Sequence, residues 1–166
     1  HAGGVIGPQG AGWAAEQRLA QEIEVQMGTL GKALGSSGGF VAARAPVIDH
    51  FLNEARTFLF GTAPAPAAMA AAGQALQIVR SAEGAGLRER LWENIRLFAA
   101  GQPDPKPGPI QTRILQSNER TLRVRDSLRM AGLEVVAIRP PTVAENTARL
   151  RISLSARHSA PEISRL

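Results

Sequence analysis

The glycine-rich segment 27–39, MGTLGKALGSSGG, holds the side chain best suited to covalent chemistry. It contains Lys32, one of two lysines in a chain with 17 arginines, together with five of the 17 glycines. A lysine amine can lose its proton and attack a carbonyl carbon, which an arginine guanidinium cannot do near neutral pH. Lys32 is therefore the first candidate for amine chemistry, and the surrounding segment must position it.

Two nucleotide-binding motifs are excluded by spacing. A phosphate-binding loop needs glycine and Ser or Thr where this chain has Gln26 and Ala33. The N-terminal segment HAGGVIGPQGAG does not have the dinucleotide-binding spacing either. The remaining pattern, T-x-G-K-A-x-G, favours a strand and a tight loop in which Lys32 forms a Schiff base with an aldehyde cofactor. A surface lysine in a flexible loop explains the spacing about equally well.

Composition narrows the class of protein. The chain has 166 residues and 44% apolar residues, as expected for an ordinary globular domain. No run approaches the roughly 20 apolar residues that cross a bilayer. Cysteine is absent, which excludes disulfides and fits a reducing cytoplasm, where we expect the protein. The three histidines lack metal-ligand spacing, so we expect no metal site.

The net charge of +5 comes from the C-terminal part of the chain. Residues 1–110 hold nine basic and nine acidic side chains, whereas residues 111–166 hold ten arginines and five acids. Such a region attracts nucleic acid, a membrane or an acidic small molecule. Aromatic residues are few and no basic run is clustered, so we expect no nucleic acid and no membrane among the partners.

Hydrophobic periodicity predicts alternating strands and helices. The predicted strands are 22–27, 39–43, 58–60, 110–115, 133–138 and 149–154. The predicted helices are 47–56, 66–81, 87–100, 118–130 and a short one that opens at Pro161. Gly84 and Gly86 are expected to break the helical pattern between 81 and 87. Asn118 is expected to cap the helix that Gly132 ends.

The segment MGTLGKALGSSGGF resembles the pyridoxal-phosphate lysine segment of the α-oxoamine synthases, which are fold-type I enzymes of the aspartate aminotransferase type. HAGGVIGPQGAG and ARTFLFGTAPAP resemble two further family segments, and the likeness covers essentially all 166 residues. It implies an α/β fold in which 1–83 is the C-terminal portion of the cofactor-binding large domain. Residues 84–166 then form a small C-terminal α/β domain whose final helix is truncated.

The segment 137–158, AIRPPTVAENTARLRISLSARH, resembles the signature of family members that join L-alanine to a pimeloyl thioester in biotin biosynthesis. This likeness implies a homodimeric pyridoxal-phosphate-dependent acyltransferase that releases CO2 and the carrier thiol. A sister synthase that uses glycine or serine with another acyl-CoA is an alternative. A non-catalytic partner module is another. The acyl carrier, coenzyme A or a carrier protein, stays open.

The resemblance also implies roles for four residues at the cofactor. Lys32 is the catalytic lysine that binds pyridoxal phosphate, and Thr29 contacts the same cofactor. His1 matches a histidine at the phenolic oxygen of the ring, and Thr62 matches a residue that reaches the cofactor phosphate of the partner subunit. The family's Asp for the pyridine nitrogen is expected three residues before His1. We therefore expect the chain to be part of a longer protein and to be catalytically inert by itself.

Two further residues are implied to bind substrate. Thr142 matches a substrate-binding threonine, although after two prolines it also suits a turn. Arg151 matches the arginine that binds a substrate carboxylate, for which its forked guanidinium is well shaped. From the residues alone, Arg151 is simply a solvated side chain on a strand.

Overall fold

The structure is a computed structural model that describes residues 3–102 and 107–166. It divides into two compact units, His1–Gly86 and Leu87–Leu166. Each unit combines strands with helices, as the predicted α/β class requires.

The first unit is built around a two-stranded antiparallel hairpin. Strand β1 (Val25–Thr29) pairs with β2 (Gly39–Ala43), so that Thr29 lies opposite Gly39. The other elements of this unit are a 3-10 turn (Pro8–Gly10) and helices α1 (Trp13–Glu16), α2 (Ala45–Glu54), α3 (Arg56–Leu59) and α4 (Pro66–Arg80). The predicted strand 39–43 and the predicted helix 66–81 are confirmed, the helix to within one residue.

The predicted strand 58–60 is wrong. Phe58 lies in the single helical turn α3, and the chain leaves that turn at Phe60. Three consecutive apolar residues carry no period, so they do not distinguish a strand from a helix. Phe58 and Phe60 are also 64% and 76% exposed, so no sheet buries them. The guanidinium of Arg56 instead lies 5.3 Å from the centre of the Phe60 ring.

The expected break at Gly84 and Gly86 is also wrong, because helix α5 (Ala82–Ala100) runs through both. The Ser81 hydroxyl accepts a hydrogen bond from the Gly84 amide at 3.3 Å and so caps the helix start. Gly84 permits a close approach of backbones, since a Cβ there would lie 2.7 Å from the Val79 carbonyl oxygen. A glycine in a helical pattern can therefore mark packing rather than an end.

Alanine substitutions at these two glycines are expected to have opposite effects on the free energy of unfolding. Gly84→Ala should destabilise the intact protein by about 1–3 kcal/mol, because the new methyl group overlaps backbone. Gly86→Ala is the matched control, since nothing lies within 4 Å of its Cβ position. It should stabilise the helix by about 0.5–1 kcal/mol. Urea unfolding measures both values, and equal stabilisation by the two would contradict this packing.

The second unit is a three-stranded antiparallel sheet with helices. Its strands lie in the order β3 (Ile110–Gln116), β5 (Ala148–Ser153), β4 (Val136–Ile138). Helices α6 (Asn118–Met130) and α7 (Ala160–Ser164) complete the unit, together with the part of α5 that begins at Leu87. Because β5 is hydrogen-bonded to β3 on one side and to β4 on the other, its register is fixed by both neighbouring strands.

Most of the buried apolar residues belong to this second unit. Alternate residues of β5 are buried, because apolar residues alternate with arginine and serine along the strand. On helix α5, Leu91, Ile95 and Phe98 are spaced by four and three residues and are buried, and Leu87, four residues earlier, is half-buried. The buried apolar side chains of this unit are Leu91, Ile95, Phe98, Val135, Ala148, Leu150, Ile152, Leu154 and Ile163.

Helix α6 has the predicted length but not the predicted cap. The side chain of Ser117 accepts a hydrogen bond from the Arg120 amide at 3.3 Å, so Ser117 rather than Asn118 is the N-cap. Both residue types are good caps, and the sequence pattern did not separate them. Gly132, with φ of 80°, follows the helix end as predicted. On the exposed side of this helix, the Arg123 guanidinium donates to the Glu119 carboxylate at 2.7 Å, an i,i+4 pair.

Helix α7 begins with a capping box. The Glu162 carboxylate accepts hydrogen bonds from the Ser159 amide at 2.7 Å and from the Ser159 hydroxyl at 2.8 Å. The backbone bond and then the hydroxyl bond hold the pKa of Glu162 below its ordinary value of 4.5, and the charge of Arg165 acts in the same direction. The carboxylate form of Glu162 therefore stabilises the folded state.

Replacing Glu162 should produce a pH-dependent loss of stability. The pKa is lower in the folded state, so the contribution is present above pH 4.5 and disappears as the pH falls through the lower folded value. Glu162→Gln keeps a hydrogen-bond acceptor and loses the charge. We expect it to lower the melting temperature of the intact protein at pH 7 and to match wild type in strong acid. The exposed Glu145→Gln is the control, and a constant difference at every pH would contradict the linkage.

Candidate active site

The loop between β1 and β2 presents Lys32 at the protein surface. The Leu30 amide donates to the Gly38 carbonyl at 2.9 Å and closes the base of the loop. Inside it, the Gly35 amide donates to the Lys32 carbonyl at 3.0 Å and the Ser36 amide to the Leu30 carbonyl at 2.9 Å. Three backbone hydrogen bonds thus hold the segment that carries the exposed Lys32 side chain.

Glycine is required at particular points of this loop. Gly35 and Gly38 have φ of 59° and 95°, the left-handed region that other residues adopt only with strain. At Gly31 a Cβ would lie 3.3 Å from the Ser36 carbonyl oxygen, tighter than most contacts. The glycine-rich composition therefore gives a compact turn around Lys32 rather than a loose linker.

Thr29 lies next to this turn at the end of β1. Its hydroxyl oxygen accepts a hydrogen bond from the Gly31 amide at 3.2 Å, and the hydroxyl donates to the Gly38 carbonyl at 3.5 Å. The structure therefore brings Thr29 to the loop that carries Lys32. The cofactor contact predicted for Thr29 stays a prediction.

Ser36 is a contributor that the sequence did not reveal. Its hydroxyl donates to the Ala68 carbonyl at 2.6 Å, and the two residues are 32 positions apart. Ala68 lies in the first turn of α4, so this bond fastens the Lys32 loop to a helix. A contact between residues so distant in the chain leaves no local pattern from which to predict it.

Among the described residues, no hydrogen bond joins this loop to Thr62, a further residue predicted at the cofactor. Thr62 is exposed in the segment that follows α3. The preceding Gly61 permits a close backbone approach, since its Cβ would lie 2.8 Å from the Thr57 carbonyl oxygen. His1 lies outside the described residues. The roles of both remain predictions.

Arg151 and Thr142 belong to the second unit. Arg151 is exposed on the central strand β5, on the face opposite the buried Leu150 and Ile152. Thr142 lies in the β4–β5 loop, where its amide donates to the Arg139 carbonyl at 3.0 Å in the expected turn. That loop ends in a second turn in which Asn146 has φ of 59°.

The face of β5 that carries Arg151 also carries Arg149, and apolar side chains of the neighbouring strands lie beside them. The partners of Arg151 across the strands are Thr112 on β3 and Val136 on β4. Val136 is 50% exposed, and Ile114, farther along β3 on the same face, is 53% exposed. Apolar neighbours displace some of the water that competes for a guanidinium, so a carboxylate attached to an apolar group can bind there.

Two kinds of feature are absent from the described ranges. No helix within 3–102 and 107–166 is long and apolar enough to cross a membrane. The same residues contain no group of three or more His, Cys, Asp or Glu side chains that could hold a metal ion. The candidate site residues that the structure describes carry an amine (Lys32), hydroxyls (Thr29, Thr62 and Thr142) and a guanidinium (Arg151).

The fold and these side chains agree with the family to which the chain is related. All 166 residues match the family Aminotransferase class I and II, and the chain belongs to that family. It is 43% identical to 8-amino-7-oxononanoate synthase of Chromobacterium violaceum over 100% of this chain and 44% of that protein. With the enzyme of the same name from Paraburkholderia phymatum the identity is 44%, at the same coverage. The chain thus spans about 44% of the length of these curated relatives.

Solved structures agree with this assignment. A variant of serine palmitoyltransferase from S. paucimobilis, with a bound PLP–myriocin aldimine, is 28% identical with a TM-score of 0.89. It matches 99% of this chain and 43% of its own. The 8-amino-7-oxononanoate synthase of Francisella tularensis is 25% identical with a TM-score of 0.86, over 99% of this chain and 50% of its own. The predicted fold-type I class and the predicted α-oxoamine synthase resemblance are confirmed.

Proposed function

We propose that the intact protein is a pyridoxal-phosphate-dependent acyltransferase of biotin biosynthesis. It condenses L-alanine with a pimeloyl thioester and yields 8-amino-7-oxononanoate, CO2 and the carrier thiol. The observation that carries this proposal is the 43% identity with a synthase of that name across the entire chain. The geometry of the Lys32 loop supports it independently.

The residues of the loop fit pyridoxal phosphate. Lys32, an exposed residue, carries the amine for the cofactor aldehyde, and Thr29 carries a hydroxyl at the same turn. The left-handed glycines Gly35 and Gly38 keep side chains away from the loop where a planar ring must approach. When bound, this cofactor withdraws electrons from the amino-acid Cα and makes its proton acidic.

Lys32 has two roles in this proposal. It holds the cofactor through Nζ before the amino acid binds, and its amine then takes the Cα proton of alanine. The Cα carbon then forms a bond to the thioester carbonyl carbon while the carrier thiolate leaves and takes up a proton. After CO2 is lost from the former alanine carboxylate, the protonated Lys32 amine returns its proton to Cα. Three hydrogen bonds in the loop backbone keep the amine on a short, defined segment throughout.

Arg151 and Thr142 bind substrate in this proposal. The Arg151 guanidinium pairs with the carboxylate of alanine by two parallel hydrogen bonds. Arg151 lies on the central strand β5, which is hydrogen-bonded to β3 and to β4, and this position gives the pair a fixed orientation. Thr142 contacts the substrate from a turn whose backbone is already hydrogen-bonded.

The proposed arrangement of the whole protein follows the same resemblance. Residues 1–83 form part of the cofactor-binding large domain, and 84–166 form the small domain. Two copies assemble as a homodimer, in which Thr62 of one subunit reaches the cofactor phosphate of the other. His1 contacts the phenolic oxygen of the ring.

A serine-using synthase is the second candidate, because serine palmitoyltransferase has a TM-score of 0.89 to this chain. The test incubates the intact protein and pyridoxal phosphate with pimeloyl-CoA and alanine, glycine or serine, and detects product by mass spectrometry. Palmitoyl-CoA with serine is the matched alternative pair. We expect 8-amino-7-oxononanoate from alanine and far less product otherwise. Preference for serine and palmitoyl-CoA would support the second candidate, and no product from any pair would favour a non-catalytic module.

A further inference from the structure

Asn94 on helix α5 is a buried polar side chain of the second unit that makes long-range contacts. It is 8% exposed. Its Nδ2 donates to the Ser155 carbonyl and to the His158 carbonyl, each at 2.9 Å, across 61 and 64 residues of chain. Both hydrogens of one amide are thus used on two carbonyls of the same turn. No other neutral side chain of that length and shape carries two such donors.

The turn that Asn94 holds is closed by three further bonds. The His158 amide donates to the Ser155 carbonyl at 3.2 Å, and the Arg157 amide to the Ser155 hydroxyl at 3.1 Å. The Ser155 amide donates to His158 Nδ1 at 3.2 Å, which requires that this ring nitrogen carry no proton. Ser155 is therefore held at its amide, its hydroxyl and its carbonyl.

This turn is the direct continuation of strand β5. The strand ends at Ser153, and the next amide, that of Leu154, donates to the Pro109 carbonyl at 2.7 Å. Arg151 lies four residues before Ser155, about 13 Å along an extended chain. Between them, Ile152 and Leu154 are buried. Because these side chains are packed, a displacement of the turn also displaces the strand.

We propose that Asn94 and His158 form a clamp that positions Arg151 for the substrate carboxylate. The clamp consists of Asn94 and His158, which together hold Ser155. It touches no substrate; it fixes the end of the strand from which the Arg151 guanidinium projects. The proposal rests on the proposed function, because it takes Arg151 as the carboxylate-binding group. It adds two positioning residues for the amino acid and none for the acyl thioester.

We expect loss of the clamp to weaken binding of L-alanine and to leave binding of the acyl thioester nearly unchanged. A misplacement of about 1 Å by a mutation remote from the chemistry can cost about 100-fold in rate, and we expect a rise of about 10-fold to 100-fold in the Kd of L-alanine. Asn94→Asp is nearly isosteric and loses both donors, so it should weaken L-alanine binding by this factor. The apparent KM for pimeloyl-CoA should stay within about twofold, since Arg151 does not bind the thioester in this proposal. A merely structural role lowers the amount of folded protein and leaves both constants as in wild type.

The experiment uses the intact protein with pyridoxal phosphate. Isothermal titration calorimetry gives the Kd of L-alanine, steady-state kinetics gives both KM values, and borohydride reduction checks attachment to Lys32. The matched control is Asn118→Asp, the same change at an exposed asparagine of the same unit. His158→Leu and His158→Asn provide a second pair away from the buried position, should Asn94→Asp fail to fold. His158→Leu removes the acceptor and should weaken alanine binding, and His158→Asn, which restores one, should recover most of it.

Two results would overturn the proposal separately. If alanine binding by Asn94→Asp or His158→Leu equals that of the control, or if both KM values rise together, the clamp does not position Arg151. If wild type shows neither borohydride attachment at Lys32 nor alanine binding, the proposed function is wrong and the role of the clamp falls with it. The wild-type measurement therefore distinguishes the two failures.

Discussion

Replacement of Lys32 by alanine is expected to abolish turnover of the intact protein. We expect kcat for the condensation of alanine with pimeloyl-CoA to fall by about 10⁴-fold, the upper end of what a positioned general base contributes. The loss has a physical reason beyond proton transfer, because the same amine also holds the cofactor. Since the loop is closed by backbone hydrogen bonds, removing the exposed side chain should leave its conformation intact.

Two variants separate chemistry from charge in that measurement. Lys32→Arg keeps the positive charge but cannot lose its proton near neutral pH, so it should be as inactive as Lys32→Ala. Lys106→Ala alters the only other lysine of the chain and should retain wild-type kcat. Substantial turnover by Lys32→Arg would show that the amine is not required.

Replacement of Arg151 by glutamine is expected to weaken amino-acid binding selectively. A hydrogen bond to a charged group contributes about 1.5–3 kcal/mol, so the Kd of L-alanine should rise by about 10-fold to 150-fold. Binding of the acyl thioester should change little. Lysine at this position should also be defective, because an ammonium group cannot form the two parallel hydrogen bonds of a guanidinium.

The matched control for Arg151 is Arg113→Gln on the neighbouring strand β3. Arg113 is also exposed, but it pairs in register with Leu150 and so belongs to the other face of the sheet. We expect its alanine Kd to equal that of wild type. Equal effects of the two substitutions would mean that general positive charge, rather than the position of Arg151, attracts the substrate.

Local signals in the sequence were sufficient for much of the fold. The strand 39–43 and the helices 66–81 and 118–130 have clear periods or end signals, and the structure contains all three within one residue. The family resemblance lay in contiguous motifs around Lys32 and in 137–158. Such motifs can be recognised in the sequence without any knowledge of packing. The comparisons confirm that resemblance.

The errors and omissions share a physical cause, which is dependence on distant partners. Gly84 was predicted to break the helix. Glycine is needed there because the position lies in close contact with the preceding carbonyls, and a hydrophobic period does not show such a contact. The bonds from Ser36 to Ala68 and from Asn94 to the turn at Ser155 join residues 32 and 61 positions apart. Ser, Asn and Gly are common loop residues, so their types alone do not indicate such roles.

The most direct test of the central claim is to locate the cofactor on the chain. The intact protein is incubated with pyridoxal phosphate, reduced with borohydride, digested and analysed by peptide mass spectrometry. We predict one reduced pyridoxyl group, on Lys32, and its loss when L-alanine is added before reduction. Labelling that occurs at Lys106 instead, or no labelling at Lys32 in a protein that is folded, would contradict the assignment of Lys32 as the cofactor-binding lysine.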